Sequence, residues 1–190
     1  TPIQLCLMTA QIANGGYKIK PRIIFDKENN GLKNYLDFKL KNPEKLLTTE
    51  LLIKNFKLKP LFEDKKNIDI IKDAMFSSSN EPGGTSYRHR IENPKFTFAG
   101  KTGSSQIKRF TEAQREAEVK QIDLNYKDRD HALFIAFAPY KDPKYAISVV
   151  VEHGGSGGSA AAPIAKKIIK KVIERDHLRQ KINYSERDSI

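Results

Sequence analysis

Cysteine is almost absent from this sequence, since Cys6 is alone among 190 residues. A single cysteine excludes an internal disulfide and a thiolate cage around a metal ion. The four histidines show no spacing typical of metal ligands; they are His89, His131, His153 and His177. We therefore expect neither a metal ion nor another cofactor.

Long apolar runs are also missing. The two longest are Ala132–Ala138 and, apart from Ser148, Tyr145–Val151. Both are far shorter than the roughly 20 apolar residues that a membrane-spanning helix needs. No stretch has the pattern of a signal peptide. Both absences apply only to these 190 residues.

Basic residues, in contrast, are in excess. Lys and Arg number 34 against 23 Asp and Glu, which gives a formal net charge of +11. Such a charge can indicate an anionic partner, such as nucleic acid, lipid headgroups or a carboxylate-rich polymer. It can equally reflect a Lys-rich surface. The lysines are spread along the chain rather than gathered in one stripe, which favours the second interpretation.

The stretch 96–106, with the sequence FTFAGKTGSSQ, predicts a β-strand that carries chemistry on its own backbone. Its alternating phenylalanines have the period of a half-buried strand. Gly100 and Gly103 then flank Lys101 and Thr102, and glycine within a strand often marks the close approach of a ligand. This edge suits a peptide-like ligand with a carboxylate, added as a further strand. A strand that ends in a glycine turn is the simpler alternative.

The remaining sequence predicts a globular α+β chain, with 38% apolar residues to form a core. Hydrophobic periodicity predicts helices at 2–14, 67–77 and 159–176, and strands at 131–140 and 144–153. A short turn between the last two strands makes an antiparallel meander with the strand at 96–106. The middle helix is expected to face inward with Ile68, Ile71, Ala74 and Met75, and residues 77–85 are predicted to form a loop.

Four stretches together resemble one known family. They are TPIQL leading to ANGG within residues 1–16, GT at 84–85, AGKTGSSQ at 99–106, and HALFIAFAPY with VEHGG within residues 131–155. In this order they resemble the C-terminal part of a penicillin-binding protein, in the superfamily that includes the serine β-lactamases. The likeness is greatest to the penicillin-binding protein 2 type of the cell-elongation system.

The resemblance implies a partial transpeptidase (β-lactamase-like) fold. It would be an α+β arrangement, with a three-stranded antiparallel meander and flanking N-terminal and C-terminal helices. Residues 1–177 would be the C-terminal portion of the transpeptidase domain. Residues 26–66 and 108–130 would be surface insertions, and residues 178–190 a polar tail.

The resemblance also implies serine acyl transfer to cross-link peptidoglycan. A serine would attack the D-alanyl-D-alanine end of a stem peptide, and β-lactams would trap the same serine. Lys101 and Thr102 would bind the terminal carboxylate, and Gly103 would keep the strand edge clear. The backbone N–H of Ser104 would form half of an oxyanion hole.

The nucleophile itself is expected to be absent from this chain, which should be inactive alone. Ser105 and Lys108 match the family's Ser-x-x-Lys motif, and Ser78 and Asn80 match Ser-x-Asn. Both matches are interpreted as coincidences. The chemistry needs the lysine one helical turn after the serine, whereas residues i and i+3 of a strand point to opposite sides. The family places both motifs upstream.

The resemblance further implies a location at the periplasmic face of the bacterial inner membrane, with the membrane anchor upstream. The implied partners are a membrane glycan polymerase and elongation scaffold proteins, and no nucleic acid. We also expect the isolated chain to self-associate or to be only marginally stable, because residues 145–151 would form an exposed strand edge.

Two other functions remain open from the sequence. One is a non-catalytic basic module that binds an anionic polymer, which would require clustered cations and salt-sensitive binding. The other is a β-lactamase-type hydrolase. It is less favoured, because hydrolysis needs a base that activates water and no such group can be identified.

Overall fold

The computed structural model describes residues 1–21, 60–110, 112 and 120–185, with side chains as far as Arg175. Most of the predicted insertion at 26–66 lies outside the described residues. So do Thr111 and residues 113–119 of the predicted insertion at 108–130. The proposed domain boundaries therefore stay predictions.

Within these ranges three α-helices are present: α1 at Pro2–Ala13, α2 at Lys65–Asn80 and α3 at Ala162–Ser185. A π-helical turn, Gly157–Ala161, leads into α3. Helix α1 begins with proline in its first turn and is followed by Gly15 and Gly16, both with φ near +90°. Asp64 caps α2, because its side chain accepts a hydrogen bond from the Lys66 N–H at 2.8 Å.

The sheet has three strands in the order β1-β2-β3: Ala99–Ser105, His131–Ala138 and Tyr145–Val151. Both pairings are antiparallel, with Thr102 opposite Phe134 and Phe134 opposite Val149. The predicted three-stranded antiparallel meander is confirmed, as are the flanking N-terminal and C-terminal helices.

Helices cover both faces of the sheet. On one face Phe98 and Phe134 are fully buried against α3, where Ala165 and Ile169 pack. On the other face Phe137 and Ala99 pack with α1 through Ala13 and with α2 through Met75. Neighbouring residues of β1 and β2 thus contribute to different cores, as the period of a strand requires.

Two helix ends differ from the prediction. Residues 77–80 continue α2 instead of opening a loop, because Ser79 and Asn80 gain hydrogen bonds to the Gly100 and Phe98 carbonyls. Helix α3 runs beyond residue 176 to Ser185, and no glycine or proline interrupts that stretch. Residues 178–185 of the predicted tail therefore belong to a helix.

The predicted inward face of α2 is only half right. Ile68 and Met75 are buried, but Ile71 is 40% exposed and Ala74 is also exposed. In the described part of the chain, no helix combines the length and the apolar character needed to cross a membrane.

Candidate functional site

The candidate site is the outer edge of β1, the edge that faces away from β2. The Thr97 carbonyl accepts a hydrogen bond from the Tyr140 N–H on the β2 side, at 2.8 Å. The Phe98 and Gly100 carbonyls accept bonds on the opposite side. Since alternate residues of a strand face opposite neighbours, Thr102 and Ser104 direct their backbone groups to this outer edge.

Helix α2 occupies the first part of that edge. Asn80 Nδ2 donates to the Phe98 carbonyl at 2.8 Å and to the Phe76 carbonyl at 3.0 Å. Ser79 Oγ donates to the Gly100 carbonyl at 3.2 Å. Among the described residues, no backbone group pairs with the edge beyond Gly100. A ligand strand therefore has room from Thr102 onward.

Lys101 brings a positive charge to the open part of the edge. Its side chain is exposed, and Nζ donates to the Thr102 carbonyl at 2.9 Å. Because that carbonyl points outward, the ammonium group lies at the edge where a ligand would pair. An ammonium group at this place can bind a carboxylate.

The Thr102 hydroxyl belongs to a chain of three hydroxyl groups. Thr102 Oγ1 lies 3.0 Å from Thr85 Oγ1, which lies 3.2 Å from Ser78 Oγ. Each hydroxyl can donate one hydrogen bond and accept two. These three hydroxyl groups can therefore leave the Thr102 hydroxyl as a donor for an anion that binds beside β1.

Gly103 and Gly157 meet where the turn before α3 approaches β1. A Cβ added to Gly157 would lie 2.6 Å from the Gly103 carbonyl oxygen and 2.3 Å from that of Leu133. A Cβ added to Gly103 would meet only Leu133 Cβ, at 3.5 Å. Gly157 is thus required for packing, whereas Gly103 leaves open space on the face that also carries Lys101.

Ser104 lies beside the same turn, and its Oγ donates weakly to the Gly155 carbonyl at 3.4 Å. Its backbone N–H faces the outer edge, the direction that an oxyanion-hole donor needs. The oxyanion role of Ser104 stays a prediction, as do the ligand-binding roles of Lys101, Thr102 and Gly103.

Asp130 ties the segment after β1 to the rest of the site. Its carboxylate accepts from the Ile107 N–H at 3.1 Å and from Gln121 Nε2 at 3.0 Å. Its own N–H donates to Gln121 Oε1 at 2.8 Å, and its carbonyl accepts from the Gly155 N–H at 2.8 Å. These hydrogen bonds fix Ile107, just after β1, relative to Gln121 and Gly155.

The two literal motif matches have other contacts. Ser105 is the last residue of β1, and Lys108 Nζ pairs with the Asp128 carboxylate at 2.9 Å. Ser78 and Asn80 lie on α2, where Ser78 bonds to Thr85 and Asn80 to the Phe98 carbonyl just before β1. None of these groups is arranged as a serine activated by a lysine.

Sequence reasoning gave no role in the site to three residues that shape the edge: Ser79, Asn80 and Thr85. The available signal was the spacing of hydroxyl residues. Positions 78 and 79 are followed seven residues later by another pair, 85 and 86, across a Pro-Gly-Gly turn. Such a turn folds one pair back onto the other.

Comparison with protein families gives one match over most of the chain. Residues 1–170 match the family model described as the penicillin binding protein transpeptidase domain.

Curated relatives include two peptidoglycan D,D-transpeptidases named MrdA. The one from Salmonella typhimurium is 33% identical over 178 residues, which is 94% of this chain and 25% of the relative. The one from Acinetobacter baumannii is 31% identical over 166 residues, covering 85% of this chain and 20% of the relative. The chain thus spans about a quarter or less of these relatives.

Similar solved structures include two of penicillin-binding protein 2 (PBP2). PBP2 of Helicobacter pylori in complex with MreC matches with a TM-score of 0.61 and 28% identity, over 93% of this chain and 25% of that chain. PBP2 of Pseudomonas aeruginosa in complex with WCK 5153 matches with a TM-score of 0.54 and 26% identity, over 89% of this chain and 28% of that chain.

Proposed function

This chain belongs to the penicillin-binding protein transpeptidase family, and we propose that it forms the substrate-binding half of a serine D,D-transpeptidase. Its three antiparallel strands and flanking helices are part of the transpeptidase fold. The proposed reaction cross-links peptidoglycan stem peptides through an acyl-enzyme. The observation that carries this proposal is the open edge of β1, where Lys101, Thr102 and the Ser104 N–H lie next to one another.

The edge suits a peptide that ends in a carboxylate. The Lys101 ammonium and the Thr102 hydroxyl supply charge and a hydrogen-bond donor for that carboxylate. Two residues farther along the strand, the Ser104 N–H would stabilise the oxyanion that forms at the attacked carbonyl. A β-lactam carries both a carboxylate and a reactive carbonyl, so the same groups would bind it.

We propose that the attacking serine precedes Thr1. It would add to the carbonyl of the penultimate D-alanine and release the terminal D-alanine as the leaving group. An amine of a neighbouring stem peptide would then attack the acyl-enzyme, release the serine and form the cross-link. The chain described here would bind ligand but form no covalent product alone.

Covalent labelling by a fluorescent penicillin tests this division of roles. We expect no labelling of this chain and strong labelling of a form extended by its natural upstream sequence. In the extended form, Lys101→Ala should slow labelling by about 10- to 100-fold, because a charge-assisted hydrogen bond is lost.

Lys95→Ala is the matched control, since Lys95 is an exposed lysine just before the strand. It should leave the labelling rate unchanged. Labelling of the short chain would contradict the missing nucleophile, and the labelled serine could then be mapped. An extended form that carries the family's serine and still resists labelling would contradict the transpeptidase assignment.

We place the whole protein at the periplasmic face of the inner membrane, in cell-wall elongation. Support comes from the MrdA relatives and from the H. pylori PBP2 structure, which is a complex with MreC. By analogy, a scaffold protein of the MreC type and a membrane glycan polymerase are the proposed partners. Co-purification of the extended protein with such a scaffold protein, retained at high salt, is the expected result.

We also propose that the isolated chain self-associates through β3. This strand lies at the edge of the described sheet, and Ala146, Ser148 and Val150 direct their backbone groups away from β2. The Ala146 carbonyl accepts from the Cys6 thiol at 3.5 Å, whereas the Ser148 hydroxyl is buried and has no hydrogen-bond partner among the described residues. Such an edge attracts another strand.

Sedimentation analysis at increasing concentration tests the self-association. Val150→Lys should shift the chain toward monomer, because an inward-facing lysine protects a strand edge. Glu152→Lys, just after the strand, is the control. A monomer at high concentration without any substitution would contradict the proposal.

The alternative of a basic module for an anionic polymer is not favoured. The family match supplies no support for it, and several cations are already paired with carboxylates. Arg90 pairs with Glu92 at 2.8 Å and Lys108 with Asp128 at 2.9 Å.

A further inference from the structure

Two pairs of hydroxyl groups connect the end of α2 to the turn that follows it. Ser79 Oγ and Ser86 Oγ are 3.0 Å apart and buried, and Ser79 also bonds to the Gly100 carbonyl. Ser78 Oγ and Thr85 Oγ1 are 3.2 Å apart and exposed. The buried pair bonds to the backbone of β1, and the exposed pair lies beside the Thr102 side chain.

The position of Thr85 is fixed by two glycines. A Cβ on Gly84 would lie 2.4 Å from the Ser78 carbonyl oxygen, so only glycine allows this turn to fold back on α2. A Cβ on Gly158 would lie 2.9 Å from the Thr85 carbonyl oxygen. Thr85 is therefore held between α2 and the turn before α3, with its hydroxyl 3.0 Å from that of Thr102.

Each hydroxyl group carries a single proton, so the direction of the hydrogen bond between Thr85 and Thr102 decides whether Thr102 can donate to a ligand. Thr102 has one hydroxyl proton, and it can donate that proton to a ligand carboxylate only if the proton does not point at Thr85. Thr85 must then donate to Thr102 and can accept from Ser78. A chain of hydroxyls oriented in one direction also strengthens its terminal donor.

We propose that Thr85 is a positioning residue, supported by Ser78, which orients the Thr102 hydroxyl as a donor to the carboxylate of the substrate or of a β-lactam. This inference rests on the proposed function of the β1 edge. Thr85 itself does not touch the ligand. Its contribution should therefore disappear when the Thr102 hydroxyl is removed.

A double-mutant cycle on the extended protein tests this dependence, with the second-order rate of acylation by penicillin as the readout. Thr85→Val keeps the shape of the side chain and should lower the rate by about 3- to 10-fold, the effect of one hydrogen bond. Thr85→Ser should restore the rate. In a Thr102→Val background, Thr85→Val should cause no further loss.

Thr97→Val is the control, because the Thr97 hydroxyl bonds only to the Asn93 carbonyl, at 3.2 Å, among the described groups. It should leave the rate unchanged. Equal losses from Thr85→Val with and without the Thr102 hydroxyl would overturn the inference and indicate a general structural effect. An unchanged rate in Thr85→Val would also overturn it.

The proposed function can be tested separately in the same experiment. If Lys101→Ala slows acylation and Thr85→Val does not, only the positioning role is wrong. If the extended protein is not acylated at all, the proposed function itself is wrong. Because Thr85 is exposed, we expect its valine variant to fold, and Ser78→Ala provides a second variant with a smaller expected loss of rate.

Discussion

The two glycines that flank Lys101 and Thr102 should respond in opposite ways to the same substitution. A Cβ on Gly100 would lie 2.5 Å from Phe134 Cζ and 2.9 Å from the Ile135 carbonyl oxygen. Phe134 is fully buried, with its ring in edge-to-face contact with Phe98 at 6.0 Å between centroids. The ring therefore has little freedom to move away.

Overpacking of this kind costs about 1–3 kcal/mol. The lower entropy of alanine in the unfolded chain returns about 0.4–1 kcal/mol. We expect Gly100→Ala to lower the free energy of unfolding by about 1–2 kcal/mol, which is roughly 2–8 °C in Tm for a chain of this size. Gly103→Ala, with one ordinary contact at 3.5 Å, should leave that free energy unchanged or raise it by up to about 1 kcal/mol.

Urea unfolding of the two variants, followed by circular dichroism, measures the difference. Phe134→Leu shortens the ring that obstructs the new methyl group, so the double variant with Gly100→Ala should be more stable than the sum of the single losses. A coupling of at least about 0.5 kcal/mol is expected. Equal destabilisation by Gly100→Ala and Gly103→Ala would refute the reasoning.

Two further variants test contacts of α2. The hydrogen bond to Asp73, together with burial and the negative charge of Asp73, raises the pKa of Tyr140 from 10.0 to about 12. The stabilising contribution of this contact is complete below pH 10 and is lost as the pH rises through 12. In Tyr140→Phe, the free energy of unfolding in urea should therefore fall less steeply between pH 10 and pH 12. An unchanged pH profile would contradict the contact. Asn80→Ala removes two hydrogen bonds to carbonyl groups and should lower the free energy of unfolding by about 1–3 kcal/mol. Asn67→Ala, at an exposed position of the same helix, is the control and should lower it far less.

The sheet was predictable because its strands carry strong local signals. β2 and β3 are short, apolar and joined by a turn with proline. The alternating residues 96–98 lie just before β1, which begins at Ala99, so the prediction began this strand three residues too early. The observed strands begin and end within a few residues of the predicted limits. Local patterns were sufficient to predict this sheet because its three strands pair in the order in which they follow one another in the sequence.

The end of α2 was not predictable from local propensity. Three serines and an asparagine are poor helix formers and favour turns. They remain helical here because Ser79 bonds to the Gly100 carbonyl of β1 and Asn80 bonds to the Phe98 carbonyl just before it, about 20 residues later in the sequence. The unequal roles of Gly100 and Gly103 depend on β2 in the same way, since Gly100 faces Phe134 and the Ile135 carbonyl, whereas Gly103 faces only Leu133.

The side chains of α2 that bond to β1 also limit how far a ligand can extend. A strand advances about 3.3 Å per residue, so an added chain can pair with Ser104 and Thr102 and then meets Asn80 and Ser79 at Gly100. A polypeptide that continued past this point would collide with the helix. On the proposed function, this edge would be closed at Gly100, and a ligand strand antiparallel to β1 would have to present its last residues there rather than an internal segment.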